Sequence, residues 1–134
     1  MNRKRRAILI MQGTAAIVLC AIGIIHDVVN IQALERAAAR GEVAARLVPQ
    51  LAVNIIFAGI ALALPALFLL LVMPELGRGG RMARRIAIAA GSFYVVGGIA
   101  GYVWQPVPAV LIFCALGLMI SVPQLIWRRE FEAE

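Results

Sequence analysis

Ile55-Ile56-Phe57-Ala58-Gly59-Ile60-Ala61-Leu62-Ala63-Leu64 is an unbroken apolar run with no alternation of polarity. A strand of a membrane barrel alternates lipid-facing and lumen-facing residues over ~10 positions. This run does not, so it reads as a helix. It sits inside a longer apolar stretch, Leu51 to Met73, and three more of the same kind surround it: Ala7 to Ile25, Ile86 to Trp104 and Val107 to Trp127. Each is about 20 residues, the length an α-helix rising ~1.5 Å per residue needs to cross ~30 Å of hydrocarbon.

Composition agrees. Of 134 residues 63% are hydrophobic, and mean hydropathy is +0.91. Soluble domains lie nearer ~45–50% apolar. In lipid every backbone donor and acceptor must be paired within the protein, which leaves helices or closed barrels. The expected fold is therefore all-α: an integral membrane four-helix transmembrane bundle, one domain over 1–134. Its helices are expected at about 7–27, 49–73, 84–104 and 107–127.

The net charge is +6, from 13 Lys+Arg against 7 Asp+Glu. The cations hug the ends of the apolar stretches and form no aromatic-interleaved basic face, which speaks for topology signals and against nucleic acid. Arg3-Lys4-Arg5-Arg6 precede the first helix. The break from Asp27 to Arg46 balances Asp27, Glu35 and Glu42 against Arg36, Arg40 and Arg46. The next, Pro74 to Arg85, sets Glu75 against Arg78, Arg81, Arg84 and Arg85. The third, Gln105-Pro106, is uncharged, and Arg128-Arg129 follow the last helix. Cations thus alternate sides with the chain, so the positive-inside rule places both termini in the cytoplasm (N-in/C-in) and the first and third breaks outside. The location this implies is a bacterial inner (plasma) membrane. The first apolar run, about 19 residues, exceeds the ~7–15 of a signal-peptide core, so it reads as a retained anchor.

Local signals refine the layout. Ile31, Leu34, Ala37 and Ala38 recur at helical spacing opposite Glu35, Arg36 and Arg40, so 31–46 is expected to be an outer amphipathic segment, either a surface helix or an extension of the first helix. Glu42 and Arg46 have the spacing of a helical ion pair. Gly41 is expected to break that helix and Pro49 to sit in the first turn of the next. Pro65 predicts a kink in mid-helix, Pro74 a helix end, and Pro123 a bend in the last turns. Pro106 and Pro108 flank a tight turn. In helix three, Ala83, Ala87 and Gly91 repeat every four residues, as do Gly97 and Gly101, with Gly98 beside them. Such stripes let backbones approach closely, within one bundle or across a homodimer.

Polar groups within apolar helices are costly and are the default functional candidates. His26, Asp27 and Asn30 lie near the outer end of helix one, Asn54 near the start of helix two, and Tyr102 and Trp104 at the end of helix three. They share one depth and are the candidate ligand-binding set. His26 and Asp27 have the elements of a proton-handling pair, although adjacent helical residues diverge by ~100°. Arg78, Arg81, Arg84 and Arg85 are candidates for anionic lipid headgroups. One histidine and no clustered carboxylates do not complete a zinc site, so no metal and no cofactor are expected. Cys20 and Cys114 lack a Cys-x-x-Cys pattern and read as small buried hydrophobes. Gln12 and Thr14 are expected to hydrogen-bond to neighbouring helices or to backbone.

Gly23-x-x-His26 in the first helix, the polar outer connection and Gly59 in the second helix together resemble small bacterial four-helix membrane proteins grouped as DoxX-like or of unknown function. The resemblance implies a layout and no reaction. No catalytic set is recognisable. The leading expectation is a small membrane protein that binds an apolar or lipid-like ligand, or serves as an accessory subunit of a membrane complex. Its expected partners are the lipid bilayer, a membrane-protein subunit or a second copy of itself. The alternatives are a homo-oligomeric transporter or channel, lined by Gln12, Thr14, Asn54, Ser92 and Tyr94, and a membrane enzyme using His26.

Overall fold

Among the described residues, backbone pairing in an apolar chain is solved by helices. A computed structural model describes residues 3–128; Arg129 lies outside the described residues. Among them the order is α1 (Arg3–Ala39), a 3-10 turn (Ala45–Leu47), α2 (Val48–Gly77), α3 (Arg81–Trp104), a second 3-10 turn (Pro108–Val110) and α4 (Leu111–Ile126). α1, α2 and α3, and α4 together with the 3-10 turn before it (Pro108–Ile126), are long and apolar enough to cross a membrane.

Several boundaries differ from the expected ones, each for a local reason. The amphipathic segment after residue 27 continues α1 unbroken to Ala39. It ends where Gly41 takes φ 72°, with the Glu42 amide bonded to the Ala37 carbonyl and the Gly41 amide to the Ala38 carbonyl. That pair of bonds is a Schellman cap, which needs a left-handed residue and so favours glycine. Beyond it Glu42 binds Arg40, at 2.5 Å, and not Arg46, because the cap turns the chain and removes the helical i,i+4 geometry. Pro74 does not end α2, which runs one turn further to Gly77. The stop comes from a second Schellman cap, with Gly79 at φ 88° and the Gly80 amide bonded to the Glu75 carbonyl. Proline removes one rung of the ladder, but the helix can continue where neighbouring groups repair the loss. After Pro106 the chain makes a 3-10 turn, so α4 begins at Leu111 and not at 107.

The chain divides into two compact units, Met1–Leu19 with Pro65–Glu134, and Cys20–Leu64. The first contains the start of α1, the end of α2, and all of α3 and α4. Its core holds Leu19, Leu69, Leu76, Tyr94 and Ile120, all fully buried. α3 packs along α4 through glycine. A Cβ on Gly91 would lie 2.7 Å from the Gly117 carbonyl oxygen, and one on Gly117 would lie 2.5 Å from the Gly91 carbonyl oxygen. Backbones this close leave no room for any side chain. A Cβ on Gly98 would meet the Cys114 sulfur and amide nitrogen and one on Gly101 the Val110 side chain, whereas Gly97 faces open space. Ala87, Gly91 and Gly98 are buried, and Gly91 and Gly98 serve packing between α3 and α4.

The interlock gives a first prediction. Gly91→Val should destabilise the protein by about 1–3 kcal/mol through overpacking, read as a lower thermal midpoint in detergent. Gly97→Val should stay within about 0.5 kcal/mol of the parent, as surface changes do. Equal effects at the two positions would contradict the packing described.

Candidate functional site

In the second unit α1 and α2 also meet through small residues. A Cβ on Gly23 would lie 2.8 Å from the Gly59 carbonyl oxygen and 3.0 Å from the Ala63 Cβ. One turn further along α1, the Asp27 carboxylate occupies the space that a side chain at Gly59 would fill. Gly59 is eight positions after Leu51 in the apolar run of α2, or ~12 Å along the helix. A carboxylate thus rests on bare helix backbone well inside an apolar segment, where an ionisable group is costly and marks a candidate site.

His26 Nδ1 stands 3.3 Å from Asp27 Oδ1. Their Cα–Cβ directions diverge, as the sequence suggests, but the side chains bend toward each other at their tips. Both are partly exposed, the side chains at 33% and 25%. Asn30 Nδ2 donates to the His26 backbone carbonyl at 2.7 Å, so this amide is committed to its own helix. Beside Asp27 an open groove of about 390 Å³ runs along α1, lined by Asp27, Val28, Ile31, Gln32 and Glu35. It has an apolar floor, Val28 and Ile31, with carboxylates at both ends. The arrangement can seat an apolar body and present hydrogen-bond acceptors to its polar end.

The other expected site residues are placed as follows. Asn54 is exposed on α2, in the same unit. Tyr102 and Trp104 belong to the first unit and are exposed at the end of α3, Trp104 almost completely, at 91%. Arg78, Arg81 and Arg85 are exposed near the connection between α2 and α3, and Arg84 is half-buried. Arg78 approaches Glu75 at 3.8 Å. Both cysteines are free; the Cys20 thiol leans on the Ala63 carbonyl at 3.7 Å and the Cys114 thiol on the Val95 carbonyl at 3.5 Å. Among the described residues no group of three or more His, Cys, Asp or Glu side chains is placed to hold a metal ion.

The first unit holds a polar cluster that spacing alone does not announce. Gln12 is fully buried, and its Nε2 donates to the Ile120 carbonyl at 2.6 Å. Gln124 Nε2 donates to Gln12 Oε1 at 3.0 Å. Ser121 donates to the Gly117 carbonyl of its own helix at 2.9 Å. Tyr94, also buried, accepts at its hydroxyl from the Ala66 amide at 3.0 Å, next to the rung that Pro65 removes. Gln124 is the readable signal, a lone amide in the apolar run of α4, but only the fold shows its partner. No family model, curated protein or solved structure matches this chain.

The glutamine pair is testable. Gln12→Leu strands the Gln124 amide in the core and should cost about 1–3 kcal/mol, the penalty for an unsatisfied buried group. Gln12→Leu with Gln124→Leu should recover most of that, because removing both partners removes the unmet demand. Unfolding in detergent measures both. Additive losses would show that the two amides do not interact.

Proposed function

We propose that this chain is a multi-pass protein of a bacterial inner membrane that binds an apolar or lipid-like ligand in its outer half, at the Asp27 groove. Both termini lie in the cytoplasm on this reading. Support for insertion comes from the helix surfaces. Phe57, Leu71, Val96 and Val103 are among many large apolar side chains left exposed. Apolar patches of more than a few hundred Å² are rare on soluble monomers. α1, at 37 residues and ~1.5 Å each, reaches ~55 Å. That exceeds a ~30 Å hydrocarbon core and carries Gln32 and Glu35 into the outer headgroup region and beyond it.

The observation that carries the ligand reading is the Asp27 carboxylate seated on Gly59 with His26 at its side. An ionisable group in an apolar helix segment is a default functional candidate, and the adjacent groove supplies an apolar surface for a bound molecule. Gln12 and Tyr94 spend their polar atoms on core hydrogen bonds, which takes them out of any pore lining and favours ligand binding over conduction. The resemblance to DoxX-like proteins is compatible with this layout and adds no reaction.

The test is extraction in mild detergent followed by native mass spectrometry. The parent should retain a small amphiphile or lipid in stoichiometric amount. Gly59→Val, which displaces the Asp27 carboxylate, and His26→Ala should each reduce it at least severalfold. Retention unchanged in both variants would sink the reading, and a stoichiometric membrane-protein partner in place of a ligand would favour the accessory-subunit role. For orientation, a reporter fused after Gly79 should be cytoplasmic and one at Gly41 external; the reverse pattern would overturn the topology.

A further inference from the structure

Only one oxygen of the Asp27 carboxylate is engaged. His26 Nδ1 reaches Oδ1 at 3.3 Å, and among the described residues Oδ2 has no hydrogen-bond or ion-pair partner. A neutral imidazole with its proton on Nδ1 donates one hydrogen bond and cancels no charge. The cations of the same unit are Arg36, Arg40 and Arg46, and none of them forms an ion pair with Asp27 or Glu35. Arg40 pairs with Glu42. Arg36 lies nine positions past Asp27, ~13 Å along the helix, and its Nη2 donates to Gln32 Oε1 at 3.4 Å. Arg36 directly follows Glu35, so opposite charges offset each other at the outer end of the groove. The charge left unbalanced stands at the Asp27 end, beside the floor of Val28 and Ile31.

We propose that the groove takes an organic amine. Its ammonium donates to Asp27 Oδ2. Its apolar body lies along Val28 and Ile31 and extends up to ~12 Å, the rise from Asp27 to Glu35. Charge complementarity selects the occupant. An ammonium brings an open carboxylate oxygen both a hydrogen bond and the opposite charge, and such charge-assisted bonds are the strong ones. A hydroxyl brings the bond alone, and a phosphate or a second carboxylate sets like charge against Asp27. The setting sharpens the choice, because a partly buried pair within an apolar segment is screened less than one in open water. The amine rests on the ligand-binding reading above and gives that site a ligand class.

The experiment titrates the full chain at neutral pH in uncharged maltoside micelles with octylamine and with octanol, probes of equal chain length. Isothermal titration calorimetry against protein-free micelles gives the two affinities. Octylamine should bind about tenfold more tightly than octanol, the size of one hydrogen bond to a charged group. Asp27→Asn keeps the shape of the side chain and removes its charge. It should lower the octylamine affinity to that of octanol and leave octanol unchanged. Glu35→Gln removes the same charge at the outer end and should keep the preference. Equal binding of the two probes to the parent overturns the amine and leaves the ligand site standing, as does an equal loss of preference in Asp27→Asn and Glu35→Gln. Binding of neither probe also overturns the amine; if the native mass spectrum then shows no retained amphiphile, the ligand-binding reading falls with it.

Discussion

Close backbone contact through glycine is the constraint on which the structure depends. In the first unit Gly91 and Gly117 each occupy the space beside the other's carbonyl. In the second, Gly23 lies against Gly59 and Ala63. On the proposed membrane reading, water does not drive the helices together, since lipid is as apolar as leucine, and dispersion over a close interface has to do it. Near-contact of backbones makes that interface as tight as the chain allows. Polar groups are then arranged around these crossings: Ser121 one turn from Gly117, Cys114 against Gly98, and Asp27 one turn from Gly23.

The same device explains why a carboxylate can be held within an apolar segment at all. With a side chain at Gly59 the Asp27 carboxylate would be pushed out. With glycine it has a pocket made of backbone, and His26 closes one side. The groove on α1 then inherits two acidic ends and an apolar floor. The two ends of α1 thus present opposite chemistry, acidic and partly polar after residue 26, basic and apolar before residue 12. One helix carries both, and its length permits it.

Much of this is legible from residues alone. The apolar runs announce the helices, and their charged ends suggest an orientation. Gly41 announces its turn, because a left-handed cap needs glycine. Other features are not legible, and the reason is physical. Pro74 looks like a terminator, yet a missing N–H is tolerated where the local ladder can be repaired. The Glu42–Arg46 spacing assumes a helix that Gly41 has already ended. The relation of Asp27 to Gly59 depends on the register between two helices 32 positions apart in sequence, and periodicity within either one carries no information about that register. For the same reason Gln12 can be expected to find a partner, but not Ile120 and Gln124 in particular.

Two of the prolines take on a role through the side chains that meet them. Pro65 lacks an amide, and the amide that follows it, at Ala66, is received by Tyr94 from α3. Pro123 lacks one too, and the carbonyl three residues before it, at Ile120, receives Gln12 from α1. Residue i+1 and residue i−3 are the two ends of the rung next to the one that a proline deletes. Each proline therefore acts as a socket that admits one polar side chain from a specific neighbour. If α3 slid one turn along α2, or α1 along α4, a tyrosine hydroxyl or a glutamine amide would lose its backbone partner. Glycine permits helices to come close at many offsets; these two sockets accept only one, so the prolines serve as the keys that fix helix register.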